Sequence, residues 1–142
     1  MRYFIGIDPG VHTGVALWDS GLEVFHFVRS MTITGAMSAV GGFAVEHPRD
    51  VTVVFEDARK RKWIPAMPDI RREMGRWQGS GSVMRDCKIW EDFCGESGIP
   101  CEAVAPRRNR TKLDAEAFRA LTGWSEPTNE HGRDAAMLVF GR

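Results

Sequence analysis

The alternation of apolar and polar positions divides the chain into short strand-like runs and longer stretches of helical period. Tyr3 to Asp8 is an apolar run that ends in an acid and meets the turn signal Pro9-Gly10, so a first strand is predicted with Asp8 at its C-terminal edge. Gly14 to Trp18 and Leu22 to Val28 read as second and third strands around Asp19-Ser20-Gly21, which gives a three-stranded antiparallel meander. Ala36, Met37, Val40, Phe43 and Ala44 recur at helical spacing and predict an amphipathic helix that stops near His47-Pro48. Val51 to Glu56 is a β-branched run with the look of a strand buried on both faces, and it too ends in a carboxylate.

From Asp57 to about Ser82 the chain is rich in basic residues, Pro and Gly, which predicts a long surface loop of the kind that usually carries function. Val83, Cys87, Trp90 and Cys94 then line one helical face, widened by Met84, Ile89 and Phe93, until Gly98-Ile99-Pro100 ends the helix. So broad an apolar face predicts contact with the sheet and with a second subunit. Glu102 to Ala105 reads as a last strand. Thr111 with Asp114 resembles a capping box before a helix through Leu113, Ala117, Phe118 and Leu121, closed by Gly123. A final helix is predicted from Glu130 to Phe140. Trp18, Trp90 and Trp124 read as core or interface residues, and Arg133 and Glu130 as solvated.

A length of 142 residues with 43% hydrophobic content predicts one compact α/β domain over 1–142. No apolar run reaches the roughly 18 residues of a membrane span, and MRYFIGID lacks a secretory pattern, so a cytoplasmic protein without a membrane partner is expected. Cys87, Cys94 and Cys101 are an odd count spaced seven apart, which predicts free buried thiols rather than a disulfide framework or zinc site.

Charge changes this picture. The formal total is zero, yet residues 57 to 78 hold seven basic and three acidic residues, a net of +4, and 106 to 112 add another +4, leaving −8 for the rest. Two basic segments on an acidic body predict a binding face for a polyanion. Arg59, Lys60, Arg61, Lys62, Arg76, Arg107, Arg108 and Arg110 are its candidate phosphate contacts, and Trp63 is a ring able to stack on unpaired bases.

The candidate chemistry lies in the acids. Asp8 and Glu56 become neighbours if the first and fourth strands lie side by side. His131 and Asp134 share a helical face with Ala135 and Leu138, the positions that would press the last helix onto the sheet. Converging carboxylates are costly unless cations neutralise them, and hard oxygen donors favour Mg²⁺ or Mn²⁺. Two such ions can activate a water on one side of a phosphodiester and stabilise the leaving oxygen on the other. No small-molecule cofactor is called for.

GIDPGVHTGVA at 6 to 16, VVFED at 53 to 57 and EHGRDAAMLV at 130 to 139 resemble, in order and spacing, the opening hairpin, second acidic strand and C-terminal helix of the RuvC-type Holliday junction resolvases. The resemblance implies a ribonuclease H-like fold: an α/β architecture with a five-stranded mixed sheet, three strands antiparallel and two parallel, flanked by helices. It implies a metal-dependent endonuclease in which Asp8 bridges two ions, Glu56 binds one, Asp134 with His131 completes the set, and Lys112 lies near the scissile phosphate. Some members have a carboxylate where this sequence has His131, so this imidazole is a ligand, an acid or base, or an organiser of the attacking water. Four-way DNA junctions are the implied substrate. A homodimer is expected, because resolving a junction needs two cuts and one domain offers one site. The rivals are a ribonuclease H-like or YqgF-like enzyme acting on RNA or hybrid, and a module that binds branched DNA without cutting.

Overall fold

A computed structural model describes residues 2–61, 70–106 and 112–142, with only the helical course of the backbone for 70–80. Strand β1 (Tyr3–Asp8) pairs antiparallel with β2 (Thr13–Asp19), which pairs antiparallel with β3 (Val24–Met31). Helix α1 (Ile33–Glu46) returns the chain so that β4 (Val51–Glu56) lies parallel to β1. A short 3-10 turn (Ala58–Lys60) and helix α2 (Ile70–Ser97) precede β5 (Cys101–Val104), parallel to β4. Helices α3 (Ala115–Thr122) and α4 (Glu130–Met137) follow. The sheet order is β3-β2-β1-β4-β5, the expected five-stranded mixed sheet with three antiparallel and two parallel strands.

Strand alternation sends side chains to two separate cores. Ile5, Ile7, Val15, Leu17, Val53 and Phe55 pack on one face against Ala36 and Val40 of α1 and Cys87, Trp90 and Cys94 of α2. Ala16, Trp18 and Val54 pack on the other against Phe118 of α3 and Ala135, Ala136 and Val139 in and after α4. Central strands covered on both faces have few polar positions to spare, which accounts for the unbroken VTVVFE run.

Helix α4 lies on the sheet backbone itself. A Cβ added at Gly6 would come within 2.0 Å of the Ala135 carbonyl oxygen, and one at Gly14 within 1.9 Å of the His131 carbonyl oxygen. Only glycine leaves room for that approach. Asn129 caps α4 by accepting a hydrogen bond from the Gly132 N–H at 2.9 Å, which fixes where the helix begins.

Several expectations are corrected. The long loop predicted to about Ser82 instead becomes helix from Ile70. No proline intervenes between Pro68 and Pro100, and Arg71, Arg72, Glu73, Met74, Arg76 and Gln78 are good helix formers. Once the buried Cys87, Trp90 and Cys94 anchor the second half, each preceding residue adds a hydrogen bond without a new nucleation cost, which offsets three glycines at about 1 kcal/mol each. β3 begins at Val24 rather than Leu22, because the Asp19 carboxylate accepts from the Gly21 and Leu22 N–H groups and Glu23 adopts φ 55°, extending the turn. Asp114 is itself the N-cap of α3, accepting from the Ala117 N–H at 2.8 Å, and Gly123 closes the helix at φ 75° as expected. Thr111 lies outside the described residues. α4 ends at Met137, short of Phe140. Cys87 and Cys94 are buried free thiols, whereas Cys101 is exposed on the edge strand. Among the described residues no helix is long and apolar enough to cross a membrane.

Candidate active site

Asp8 and Glu56 stand side by side at the C-terminal ends of two adjacent parallel strands. The register that pairs Ile7 with Phe55 brings the next residues of each strand to the same edge and the same face. That is the face on which α4 is seated, so its first turns overhang both acids. Asp8, Glu56, His131, Asp134 and Lys112 line one cleft of about 420 Å³, joined by Arg61 and by His12 from the β1–β2 turn. The five residues predicted for catalysis therefore meet, although they come from opposite ends of the chain.

Within the cleft, His131 Nδ1 lies 3.3 Å from Asp8 Oδ2. An ionised carboxylate only accepts, so with Asp8 ionised the contact is an Nδ1–H donated to Asp8. Burial, then the Asp134 charge, then that of Glu56 push the Asp8 carboxyl up from 3.8 to about 6, against the pull of the His131 hydrogen bond. Lys112 Nζ lies 3.3 Å from Asp134 Oδ2 and also pairs with Glu130. Its pKa is raised, first by the Glu130 hydrogen bond and further by the Asp134 charge. An acidic cluster that holds one carboxyl near 6 while drawing in a lysine is short of positive charge.

The donor chemistry fits hard divalent cations: Asp8, Glu56 and Asp134 supply carboxylate oxygens, and His131 a nitrogen better suited to Mn²⁺ than to Mg²⁺. Among the described residues no three His, Cys, Asp or Glu side chains are gathered into a finished ligand cage. Lys112 pairs with Asp134 across the cleft.

The basic residues divide. Arg61 lines the cleft. Arg59 is committed elsewhere: its guanidinium donates to both oxygens of Asp57 at 2.8 Å and to Glu91 of α2 at 2.6 Å. Lys60 Nζ donates to the Ala103 carbonyl at 3.0 Å. Both brace the segment after β4 to α2 and β5, and the pKa of Arg59 is raised, chiefly by its Asp57 hydrogen bonds. Arg59→Met should accordingly lower stability by about 2 kcal/mol, because it strips the buried Asp57 of its charged partner, while changing DNA affinity little. Urea unfolding beside fluorescence anisotropy with labelled DNA checks this; a large affinity loss at unchanged stability would return Arg59 to the binding face. Lys62, Trp63, Arg107, Arg108 and Arg110 lie outside the described residues, as does the side chain of Arg76.

Of the two residues read as solvated, Glu130 is exposed, whereas Arg133 is half-buried and bonded. Arg133 donates from Nε to the Leu113 carbonyl at 2.9 Å and from Nη1 to Thr128, tying α4 to the segments on either side of α3. Glu130 is the partner of Lys112. Trp18 and Trp90 are buried, and Trp124 packs against the α4-side core, so these three side chains serve packing. His12 was not foreseen. It is stacked on His131 with ring centroids 5.9 Å apart and an interplanar angle of 30°. Its only sequence signal is its position in the turn directly after Asp8.

The path of the chain through this site is shared with a known structure. T. thermophilus RuvC in complex with Holliday junction substrate superposes with a TM-score of 0.58 at 17% sequence identity, over 97% of this chain and 90% of that one. The chain has the RuvC fold. No protein-family model and no curated protein matches the sequence. The RuvC, ribonuclease H-like arrangement sets the two acid-bearing strands at the sheet centre and lays the C-terminal helix across them, which is the geometry that gathers Asp8, Glu56, His131 and Asp134.

Proposed function

We propose that this protein is a divalent-metal-dependent endonuclease that resolves four-way DNA junctions by symmetric phosphodiester hydrolysis. The observation that carries the reading is the cleft at the ends of β1 and β4, where Asp8, raised to about 6 by burial and by the charges of Asp134 and Glu56, faces His131. The RuvC fold supports the choice of DNA, since the T. thermophilus protein is described in complex with Holliday junction substrate.

In this reading Asp8, Glu56, Asp134 and His131 hold two Mg²⁺ or Mn²⁺ ions. The ions supply a nucleophilic water at neutral pH and charge stabilisation for the leaving oxygen. The chain's own residues do the rest. Asp8 is the shared acceptor between the two sides of the site, and its hydrogen bond with His131 Nδ1 directs Nε2 away from the carboxylate. Lys112, which lines the cleft and pairs with Asp134, would supply a positive charge for a phosphate bound there. Arg61 adds a second phosphate contact at the mouth of the cleft. Lys62, Trp63, Arg76, Arg107, Arg108 and Arg110 are assigned to the DNA face from the basic segments that contain them. The active species is a homodimer, whose two-fold symmetry supplies one site per cut.

The test is cleavage of a synthetic immobile junction, a matched duplex, a flap and an RNA:DNA hybrid, each titrated with Mn²⁺ and Mg²⁺. Paired nicks on the junction strands of like polarity are expected, with duplex and hybrid largely spared. Preferential cutting of the hybrid would reassign the protein to an RNA-directed enzyme, and binding of the junction without cutting in either metal would leave a recognition module.

Acidification has a defined sign. Protons and metal compete for Asp8, so Mn²⁺ affinity should be constant above about pH 6.5 and fall by up to about tenfold per unit below the Asp8 value of about 6. Calorimetry in two buffers of different ionisation enthalpy reads the proton released on binding near pH 5.5. Zero release there would mean that Asp8 is not the group that meets the metal.

A further inference from the structure

His131 is the only member of the proposed ligand set that hangs from a helix turn with half its side chain open to solvent. Its side chain is 45% exposed, against 22% for Asp8 and 16% for Asp134. Its backbone is well fixed, since the His131 carbonyl is pressed onto Gly14 and the Asn129 cap sets the start of α4. The ring is another matter. A single hydrogen bond of 3.3 Å to Asp8 restrains Nδ1 but leaves the ring able to roll about that contact, and an imidazole that rolls presents Nε2 in varying directions.

His12 supplies the second restraint. Its ring lies over that of His131 at 5.9 Å between centroids and 30° between planes, within the range of offset aromatic stacking. The support is itself rigid. His12 occupies the tight turn between β1 and β2, where the fully buried Thr13 donates its hydroxyl to the Gly10 carbonyl at 2.7 Å. The turn that ends in Asp8 on one side thus carries a second group that faces the same imidazole. One short segment grips His131 twice, at the ring edge through Asp8 and on the ring face through His12.

We propose that His12 is a positioning residue, whose ring fixes the orientation of the His131 imidazole by stacking and thereby keeps its Nδ1 edge on Asp8 in the cleft. The role in metal binding rests on the nuclease reading above; the restraint on the ring does not. Stacking needs a flat ring and not a nitrogen, so phenylalanine should substitute and alanine should not. Partners that orient a metal-ligating histidine typically contribute about 10- to 100-fold to metal affinity or activity.

The test compares wild type, His12→Ala and His12→Phe. His12 is exposed in its turn, and all three should fold with closely similar melting temperatures. Nitrogen-15 spectra of the metal-free proteins at pH 8 report the His131 tautomer: wild type and His12→Phe should hold the proton on Nδ1, and His12→Ala should give averaged shifts. Mn²⁺ titrated by calorimetry should bind His12→Ala about 10-fold more weakly, with His12→Phe recovering most of the loss. On junction DNA, kcat should fall in His12→Ala while KM stays the same. An unchanged His131 tautomer in His12→Ala overturns the proposal. So does a His12→Phe variant as impaired as His12→Ala, because then the nitrogen and not the stack matters, and so does a rise confined to KM, the mark of a phosphate contact. Failure of the nuclease reading is seen separately, as wild-type protein that neither binds Mn²⁺ nor cuts, and the tautomer comparison still decides the role of His12 in that case.

Discussion

Asp8→Asn should abolish cleavage and at the same time make the metal-free protein more stable at pH 7. Both effects follow from one carboxylate. Metal-centred charge stabilisation is worth several kcal/mol in such reactions, so if Asp8 holds the metal as proposed, removing it should cost roughly 10³-fold or more in rate. In the metal-free fold the same charge is a burden. The Asp8 carboxyl is raised from 3.8 to about 6, so the folded state disfavours its ionised form. The sign follows from linkage: above pH 6 the penalty is fully present, it shrinks as pH falls through 6, and it vanishes below 3.8, where the group is protonated in folded and unfolded chains alike. A shift of that size corresponds to about 2–3 kcal/mol, with about 1.4 kcal/mol per pKa unit. Asparagine keeps the shape and discards the charge. Its melting temperature in EDTA should exceed that of wild type by roughly 5 °C at pH 7, and the gap should close toward pH 4. With saturating Mn²⁺ the order should reverse, because wild type gains more binding energy from the ions than a variant lacking one carboxylate. Equal melting temperatures in EDTA at pH 7 would mean that the acidic cluster stores no repulsion.

Gly6→Ala should be among the most damaging single methyl additions at the described glycines. Its Cβ would meet the Ala135 carbonyl oxygen at 2.0 Å and the carbonyl carbon at 2.9 Å, with a Val139 methyl at 3.3 Å. The two nearest are backbone atoms of α4, so no rotamer change relieves the clash. The helix must lift from the sheet, opening the core that holds Ala135, Ala136 and Val139. A loss of about 4 kcal/mol or more is expected, in the range of severe core overpacking, and junction cleavage should disappear with the seat of Asp134. Gly42→Ala is the control, since nothing lies within 4 Å of a Cβ there. Urea midpoints within 0.5 M of wild type for Gly6→Ala would mean that α4 rides higher on the sheet than its backbone contacts indicate.

The fold was legible where burial writes directly into composition. β1 and β4 are covered on both faces, and their runs of apolar residues ending in Asp8 and Glu56 stand out for that reason. The i, i+3 spacing of His131 and Asp134, with Ala135 on the buried side, was enough to aim α4 at the strand ends. What escaped was set by contacts between distant positions. The glycines in the first half of α2 read as loop because their local cost is visible, whereas the anchoring of Cys87, Trp90 and Cys94 that outweighs it is not. Arg59 looked like part of a phosphate-binding run because its partner Glu91 lies 32 residues away. Gly6 and Gly14 looked like ordinary strand residues, and only the helix laid across them reveals why no side chain fits.

The contact between Asp8 and His131 closes across 123 residues. Pairing of that sequence separation is among the slowest events in folding, since the entropy of closing the chain is lost before the contact rewards it. During synthesis the sheet strands β1 to β5 all leave the ribosome before α4 does. A nascent chain therefore displays Asp8 and Glu56 without His131 or Asp134, and has no means of completing the cluster. In the nuclease reading proposed above, cutting would have to wait until α4 has docked on the strands.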